Sequence, residues 1–221
     1  NGKALLFADV GMVGATSQPG HAHADTLSFE MSLGKKRFIV NGGTSTYEFG
    51  CRRKIERSTG NHNTLRVDEL DSSEVWAQFR VGRRAGVTNV ILDHNEDVYR
   101  LSARHNGYMY LPGRIVHQRR WTLAKTTLEI QDTIQGKKES LIEVFFLLHP
   151  NMIGTKISGS EIAISSKDHC FNTVMFFVSG HTDLSLENYF WCPEFGIRIE
   201  ATKIKVSFSG HLPRVITSQF S

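Results

Sequence analysis

Short apolar runs separated by turn residues dominate the sequence and constrain its fold more strongly than any other feature. Runs such as Val87 to Leu92, Arg114 to Leu123 and Ile142 to Leu148 are rich in Val, Ile, Thr and Phe, which favour strands. Turn residues separate many of these runs, as around Gly136. The residues from Arg114 to Leu148 are typical of a three-stranded meander. The pattern predicts an all-β protein built of antiparallel strands.

Helix signals are few, and the best candidate is the charged stretch from Arg52 to Arg57. A helix this short needs tertiary support. The 221 residues and 40% hydrophobic content are enough for one sizeable core, and no repeat or linker interrupts them. We therefore predict one antiparallel two-sheet β-sandwich domain over residues 1–221. Because the chain starts without Met and runs directly into an apolar stretch, we expect it to be a C-terminal fragment of a larger protein.

The charge and the cysteines narrow the class of protein only slightly. A formal net charge of +4 and a pI near 9.0 weakly favour a polyanionic partner. Cys51, Cys170 and Cys192 lie far apart without a CxxC pair, which argues against a zinc knuckle and a disulfide-stapled scaffold but leaves one disulfide possible. No apolar run approaches the roughly 18 residues of a membrane helix, so we expect no membrane partner.

The densest polar cluster is Gly20-His21-Ala22-His23-Ala24-Asp25. On an extended strand, residues two apart point to the same face, which predicts that His21, His23 and Asp25 project together. Two imidazoles and a carboxylate can share a metal ion, or one imidazole can transfer protons while the other binds metal. An HxH pair alone is weak evidence, since two exposed histidines beside a glycine can be incidental.

A second cluster, Arg57-Ser58-Thr59-Gly60-Asn61-His62-Asn63-Thr64, precedes the strand-like Leu65 to Asp68. Between the two clusters, an apolar strand from Phe38 to Val40 ends at Asn41, before a Gly-rich turn and Tyr47. The order of these motifs resembles the C-terminal domain of heparinase II/III-like polysaccharide lyases. The motifs cover roughly the first 80 residues, and the rest of the chain matches in strand pattern.

This resemblance implies a fold and an activity. In that family the domain is a β-sandwich packed against an (α/α) toroid, the substrate cleft lies between the two, and members cleave uronate-containing glycans by β-elimination. The resemblance therefore implies an acidic polysaccharide substrate, an upstream toroid as partner, no nucleic-acid partner, and a periplasmic or extracellular location. Because relatives take their principal catalytic tyrosine from the toroid, we expect the isolated domain to be inactive.

The resemblance also implies roles for individual residues. His21 matches an acid/base or substrate-contacting histidine, and His23 and His62 match ligands of a metal that is commonly zinc. The third ligand is an Asp in relatives, whereas Asn41 stands here and offers only a neutral carbonyl oxygen. Tyr47 is a second acid/base candidate and Arg57 a candidate partner for the substrate carboxylate, although Tyr47 could equally be a rim residue that closes the turn.

Several alternatives remain open. Metal could bind weakly, recruit Asp25 or water, or be absent from a hydrogen-bonded cluster of His23 and His62. A cupin-like metalloenzyme would use His21, His23 and Glu30, but the interval from His23 to Glu30 is too long for that pattern. A non-catalytic carbohydrate-binding or scaffolding sandwich is the third possibility. We expect His105 to be a turn residue and His149 to bond backbone at a sheet edge.

Overall fold

The computed structural model describes residues 4–169, 172–180 and 182–221. In these ranges the chain forms strands, one short α-helix and a 3-10 turn. In chain order they are β1 Ala4–Ala8, β2 Phe29–Leu33, β3 Lys36–Ile39, α1 Cys51–Arg57, the 3-10 turn Thr59–Asn61, β4 Leu65–Val67, β5 Val75–Trp76, β6 Arg80–Val81, β7 Val87–His94, β8 Tyr99–His105, β9 Val116–Leu123, β10 Leu128–Gln135, β11 Glu139–Leu147, β12 Met152–Lys156, β13 Glu161–Ser166, β14 Val174–Ser179, β15 Asp183–Trp191, β16 Ile199–His211 and β17 Arg214–Phe220.

Antiparallel pairing gathers most of these strands into two large sheets. The first has eight strands in the order β12-β13-β14-β17-β10-β9-β8-β7, and the second has four in the order β15-β16-β11-β4. A three-stranded sheet, β1-β2-β3, and the hairpin β5-β6 complete the fold. The prediction of an all-β, antiparallel two-sheet sandwich is confirmed.

Aromatic side chains from both large sheets meet in one core. The ring of Phe146 in β11 lies 5.3 Å from that of Phe176 in β14 and 5.5 Å from that of Phe220 in β17, centroid to centroid. Phe38 of β3 reaches Phe220 at 5.9 Å, so the three-stranded sheet closes the same core. Burying these rings together with the aliphatic side chains around them is the main favourable contribution to folding. The core therefore fixes β3, and with it the loops that follow.

Most strand predictions agree with the structure, and the differences are informative. Helix α1 lies where the sequence predicts it. In the sequence, Ile197 to Ala201 and Lys203 to Phe208 are two separate strand-like runs, and most of both lies in the single strand β16. The sequence pattern did not indicate β12, β15 or β17. In β15, the polar residues Ser185, Glu187 and Asn188 interrupt the apolar residues that precede Tyr189.

The described part of the chain contains no helix long and apolar enough to cross a membrane. Cys51 is exposed and Cys192 buried, and both are free. Cys170 lies outside the described residues, as do Asn1, Gly2 and Lys3, with which the predicted domain begins.

Candidate functional site

The segment that carries His21 and His23 is not a strand. Turns and irregular backbone run from His21 to Ser28, and β2 begins only at Phe29. The predicted common face is therefore wrong: the His21 side chain is exposed, whereas His23 is half-buried against the His62 ring. Burial, and then the charge of nearby Asp9, raise the pKa of Asp25 to about 7.

The backbone of this segment is irregular because side chains of the second motif donate hydrogen bonds to its carbonyl oxygens. The bonded carbonyls are those of Ala22, Ala24 and Thr26. Arg57 donates to Ala22 O at 3.0 and 3.1 Å, Thr59 Oγ1 to Ala24 O at 2.8 Å, and Thr64 Oγ1 to Thr26 O at 2.7 Å. A buried carbonyl needs such a partner, and a neighbouring strand would otherwise supply it. The two motifs are thus one hydrogen-bonded unit.

Arg57 is the centre of this unit and does not face a ligand. Only 1% of its surface is exposed. Besides Ala22 O, its Nη atoms donate to the carbonyls of Trp76, Gln78 and Arg80, each at 3.2 Å. A guanidinium committed to this many carbonyls has no N–H left for a carboxylate. The structure thus gives no support to the prediction that Arg57 binds the substrate.

Asn63 secures the second motif to the core. Its Nδ2 donates to Phe29 O at 2.7 Å and to Val40 O at 2.8 Å, and its Oδ1 accepts the N–H of Leu147 at 2.6 Å. These bonds join β2, the end of β3 and β11 through one side chain. The adjacent His62 is therefore held in a fixed place.

His23, Asn41 and His62, the three predicted metal ligands, lie together. His62 Nδ1 is 2.7 Å from Asn41 Oδ1, and the rings of His62 and His23 are 5.2 Å apart, centroid to centroid. The Nε2 atom of His62 is buried and has no hydrogen-bond partner among the described residues. Burial lowers the pKa of His23 to about 3 and that of His62 well below its usual value. Both imidazoles are therefore neutral at physiological pH, as metal ligands must be.

A buried arginine opposes a cation at this place. Arg53 Nη1 lies 3.4 Å from His23 Nε2 and 3.3 Å from Thr44 Oγ1, and its charge contributes to the lowered pKa of His23. Arg53 is 1% exposed, and its Nη2 has no partner in the described ranges. Those ranges contain no group of three His, Cys, Asp or Glu side chains that could hold a metal, so a cupin-like set with Glu30 is not assembled.

Exposed rings surround His21. Its ring lies 5.2 Å from that of Tyr47 and 5.4 Å from that of Phe79, and Tyr47 also contacts Phe195 at 5.1 Å. The Arg53 guanidinium lies 5.0 Å from the centre of the Tyr47 ring. The structure therefore brings His21 and Tyr47 together. Sequence reasoning missed Arg53, Phe79 and Phe195, because only the folded chain places them beside the motifs.

The turn before Tyr47 depends on Gly43. Its φ of +78° lies in the left-handed region, and a Cβ there would collide with the carbonyl of Cys192. This close approach lets Gly42 O accept the N–H of Cys192 at 2.8 Å. The bridge fixes Thr44, whose Oγ1 lies 3.2 Å from His23 Nε2.

A second buried network supports the motifs from the eight-stranded sheet. Arg119 donates to both carboxylate oxygens of Asp132, at 2.7 and 2.9 Å, and through Nη1 to Leu27 O at 3.0 Å and Asn63 O at 2.6 Å. His117 Nε2 lies 2.6 Å from the same carboxylate. Arg119 therefore ties both motifs to β9 and β10. The only sequence signal for this network is that His117 and Arg119 alternate with Trp121 on one strand face.

His105 completes the network and is not a turn residue. It lies at the end of β8, is 1% exposed, and its Nε2 is 3.0 Å from His117 Nδ1. Its own Nδ1 accepts the N–H of Gly107 at 3.0 Å. Since that bond occupies Nδ1, His105 is neutral and donates from Nε2 to His117.

A family model described as heparinase II/III-like, C-terminal, matches residues 1–219. The chain belongs to this family. No curated protein matches the sequence. Among solved structures, this heparinase II/III-type domain is similar to a mutant of the heparan sulfate lyase HepC from Pedobacter heparinus, with a TM-score of 0.78 and 16% identity over 98% of this chain and 32% of that chain.

A heparinase III structure matches with a TM-score of 0.77 and 12% identity, over 98% of this chain and 33% of that chain. A 4-alpha-glucanotransferase from Thermococcus litoralis matches with a TM-score of 0.54 and 10% identity, over 95% of this chain and 36% of that chain. At these identities the likeness shows the fold. The heparinase II/III-type domain spans about a third of the length of the structures it resembles.

Proposed function

We propose that this domain is part of a polysaccharide lyase that cleaves uronate-containing polysaccharide by β-elimination, and that His21 transfers a proton in that reaction. The observation that carries the proposal is the placement of an exposed imidazole among exposed rings, beside a buried guanidinium. Family membership supports the same class of activity.

β-Elimination places three demands on a site. A base must take the proton beside the uronate carboxylate, an acid must protonate the departing glycosidic oxygen, and positive charge must stabilise the carboxylate as the proton leaves. His21 and Tyr47 carry groups able to exchange protons, and their rings are 5.2 Å apart. In our account Arg53 replaces Arg57 as the source of positive charge, and it acts from beneath the Tyr47 ring without touching the substrate, since its guanidinium is buried.

The exposed rings suit a sugar chain. Tyr47 is 39% exposed, Phe79 45% and Phe195 64%. The flat faces of such rings pack against the C–H face of a pyranose, as apolar surfaces do. We propose that these rings orient the sugar so that its acidic proton faces His21. The non-catalytic alternative would use the same rings for binding alone, and the assay below separates the two.

We further propose that His23 and His62, with Asn41, hold a divalent metal ion, with zinc as first choice. The unpartnered Nε2 of His62 and the neutral state of both imidazoles fit such an ion. When bound, the metal would add positive charge beside the substrate. Asn41 Oδ1 lies against His62 Nδ1 and would orient the ring so that Nε2 faces the ion. Because no carboxylate is among these residues and Arg53 is adjacent, we expect the site to bind zinc more weakly than a site with a carboxylate.

The complete protein would supply the rest of the cleft. We propose an upstream toroid as the partner of this domain, an acidic polysaccharide as substrate, and a periplasmic or extracellular location. HepC of Pedobacter heparinus is named as a heparan sulfate lyase. For the present protein we propose the wider class of uronate-containing chains. The parts of the cleft that determine which polymer binds would come from the toroid.

The test uses the full-length parent with heparan sulfate, alginate, polygalacturonate and a neutral glucan. We expect at least one uronate polymer to give the ultraviolet absorbance of an unsaturated uronate product, and the neutral glucan to give none. The isolated domain should give little or none. Saccharide binding by the parent without product from any acidic polymer would contradict the lyase proposal and favour a binding module.

A further inference from the structure

A basic cavity with a tryptophan wall lies outside the His21 cluster and shares no residue with it. It measures about 370 Å³ and is lined by Lys36, Arg37, His149, Pro150, Asn151, Met152, Lys167, Trp191 and Ile199. We call it the Trp191 pocket. Its lining includes three Lys or Arg side chains and a histidine, and none of these lining residues is acidic. The His21 site makes no use of it.

The aromatic wall of the pocket has a definite geometry. The ring of His149 meets that of Trp191 edge-on at 4.8 Å, and the Arg37 guanidinium lies 5.9 Å from the Trp191 ring centre. Trp191 also packs against the small apolar cluster of Phe145, Leu147 and Tyr189, which holds the indole in place. A fixed, partly exposed indole flanked by cations provides both an apolar face and charge at one position.

The positive charge of the pocket is only partly neutralised. Lys36 pairs with Asp168 at 3.0 Å, whereas Arg37 and Lys167 form no ion pair within the described structure. After burial, the charges of Arg37, Lys167 and Lys36 lower the pKa of His149. His149 Nδ1 accepts the N–H of Asn151 at 3.1 Å, so the neutral ring carries its proton on Nε2. That N–H has no partner among the described residues and can donate to an anion.

We propose that the Trp191 pocket binds one acidic sugar unit, with the pyranose against the indole and the carboxylate or sulfate among Arg37, Lys167 and His149. The proposal rests on the proposed function for the type of polymer, but it assigns a second binding position apart from the His21 cluster. An acidic sugar fits this pocket better than a simple anion does, because an inorganic ion would leave the indole face unused. A second contact of this kind would retain a long chain between cleavage events by raising its effective concentration.

The test measures saccharide binding to the present chain by calorimetry, without catalysis. The probes are a sulfated heparin tetrasaccharide, an unsulfated oligogalacturonate, a neutral gluco-oligosaccharide and a single-stranded DNA oligonucleotide. The paired variant Arg37→Gln/Lys167→Gln removes two exposed charges from the pocket. The control Lys125→Gln/Lys137→Gln removes two exposed charges that lie outside the Trp191 pocket.

We expect the pocket variant to bind the acidic probes about tenfold more weakly, since charge-assisted bonds are lost, and the control to change affinity less than about twofold. Trp191→Ala should weaken binding as well, and Trp191→Phe should retain part of it. Binding of both acidic probes indicates carboxylate recognition, and binding of heparin alone indicates sulfate.

Three results would overturn the proposal: equal losses in pocket and control variants, equally tight binding of DNA with the same sensitivity to the variants, or no binding of either acidic probe. This binding assay involves no catalysis, so failure of the Trp191 pocket is distinguished from failure of the lyase assay in the parent.

Discussion

At the scale of single residues, most side chains of the two sequence motifs stabilise the fold, and few are available for chemistry. Arg57, Thr59 and Thr64 bond backbone carbonyls, and Asn63 joins three segments of chain. His62 has a buried nitrogen without a partner among the described residues. Most residues of the second motif therefore support the candidate site structurally and do not belong to it. Residue type alone does not distinguish a structural arginine from a substrate-binding one, because a guanidinium can donate to backbone carbonyls or to a substrate carboxylate.

Arg57→Lys separates the structural use of Arg57 from a substrate contact. One ammonium cannot reproduce the planar fork that serves the carbonyls of Ala22, Trp76, Gln78 and Arg80. We expect the free energy of unfolding to fall by about 2–4 kcal/mol, because buried carbonyls lose charged donors. Chemical denaturation measures the change. Arg52→Lys, at an exposed position, is the control. If Arg57→Lys stays as stable as the unmodified chain but no longer binds saccharide, Arg57 contacts the substrate after all.

Asn41→Asp tests the metal proposal. A carboxylate beside His62 would add the negative charge that the present donors lack and offset the charge of Arg53. We expect zinc affinity to rise by about tenfold or more, which corresponds to roughly 1.4 kcal/mol. Competition with a chromogenic chelator measures the affinity. The same substitution combined with His62→Ala should show no gain, and an unchanged affinity in Asn41→Asp alone would count against a metal held by these residues.

At the scale of elements, the strands of the meander were predictable and β15 was not. Strands β9, β10 and β11 follow one another across short turns, whereas four of the first six residues of β15 are polar: Asp183, Ser185, Glu187 and Asn188. The segment from His21 to Ser28 is the clearest error. Its alternation is that of a strand, but side chains 35, 38 and 92 residues further along the chain donate to its carbonyl oxygens. Local sequence carries no signal of such distant bonds.

Asp132→Asn tests the link between the eight-stranded sheet and the motifs. The change leaves the fully buried Arg119 guanidinium without its counter-charge. We expect a loss of about 3–5 kcal/mol of unfolding free energy, as when one partner of a buried pair is removed. Asp93→Asn is the matched control, because Asp93 is 70% exposed and lies 3.8 Å from Arg100. Its effect should stay below about 1 kcal/mol. Similar small changes in both variants would show that the buried pair does not support the fold.

At the scale of the whole molecule, buried histidines should make the domain sensitive to acid. Burial lowers the pKa values of His105 and His117 in the folded chain, so the unfolded chain binds more protons once the pH falls below about 6.5. Their contribution to stability is complete above that pH and is lost on acidification. Asp25 has the opposite effect, because folding raises its pKa from near 3.8 to about 7. Its contribution to the free energy of unfolding is complete below pH 3.8 and is lost as the pH rises through 7.

The histidines outnumber Asp25, so we expect unfolding free energy to fall between pH 7 and pH 5. Each uncompensated histidine contributes up to about 1.4 kcal/mol per pH unit. Urea titrations in the presence of a chelator measure the slope, and His105→Asn should reduce it by about one proton. The exposed His94→Asn should leave it unchanged. Equal stability at pH 5 and pH 7 in the unmodified chain would contradict this account.

The strand pattern of the whole chain was sufficient to predict the sandwich, and motif order was sufficient to predict the family and the closeness of His23, Asn41 and His62. It could not supply Arg53, Phe79 or Phe195, which reach the site from α1, the β5–β6 turn and the loop after β15. These residues depend on how the elements pack, and no local pattern indicates that.

Proton transfer by His21 is tested by comparing the lyase rates of the full-length parent and of its His21→Ala and His94→Ala variants, on a polymer that the parent cleaves. Both histidines are exposed in this domain, but only His21 lies among the rings of the candidate site. We predict that His21→Ala lowers the rate of unsaturated-uronate formation by about a hundredfold or more, as expected for loss of a proton-transfer group, and that His94→Ala does not change it. An intact rate in His21→Ala would contradict the account.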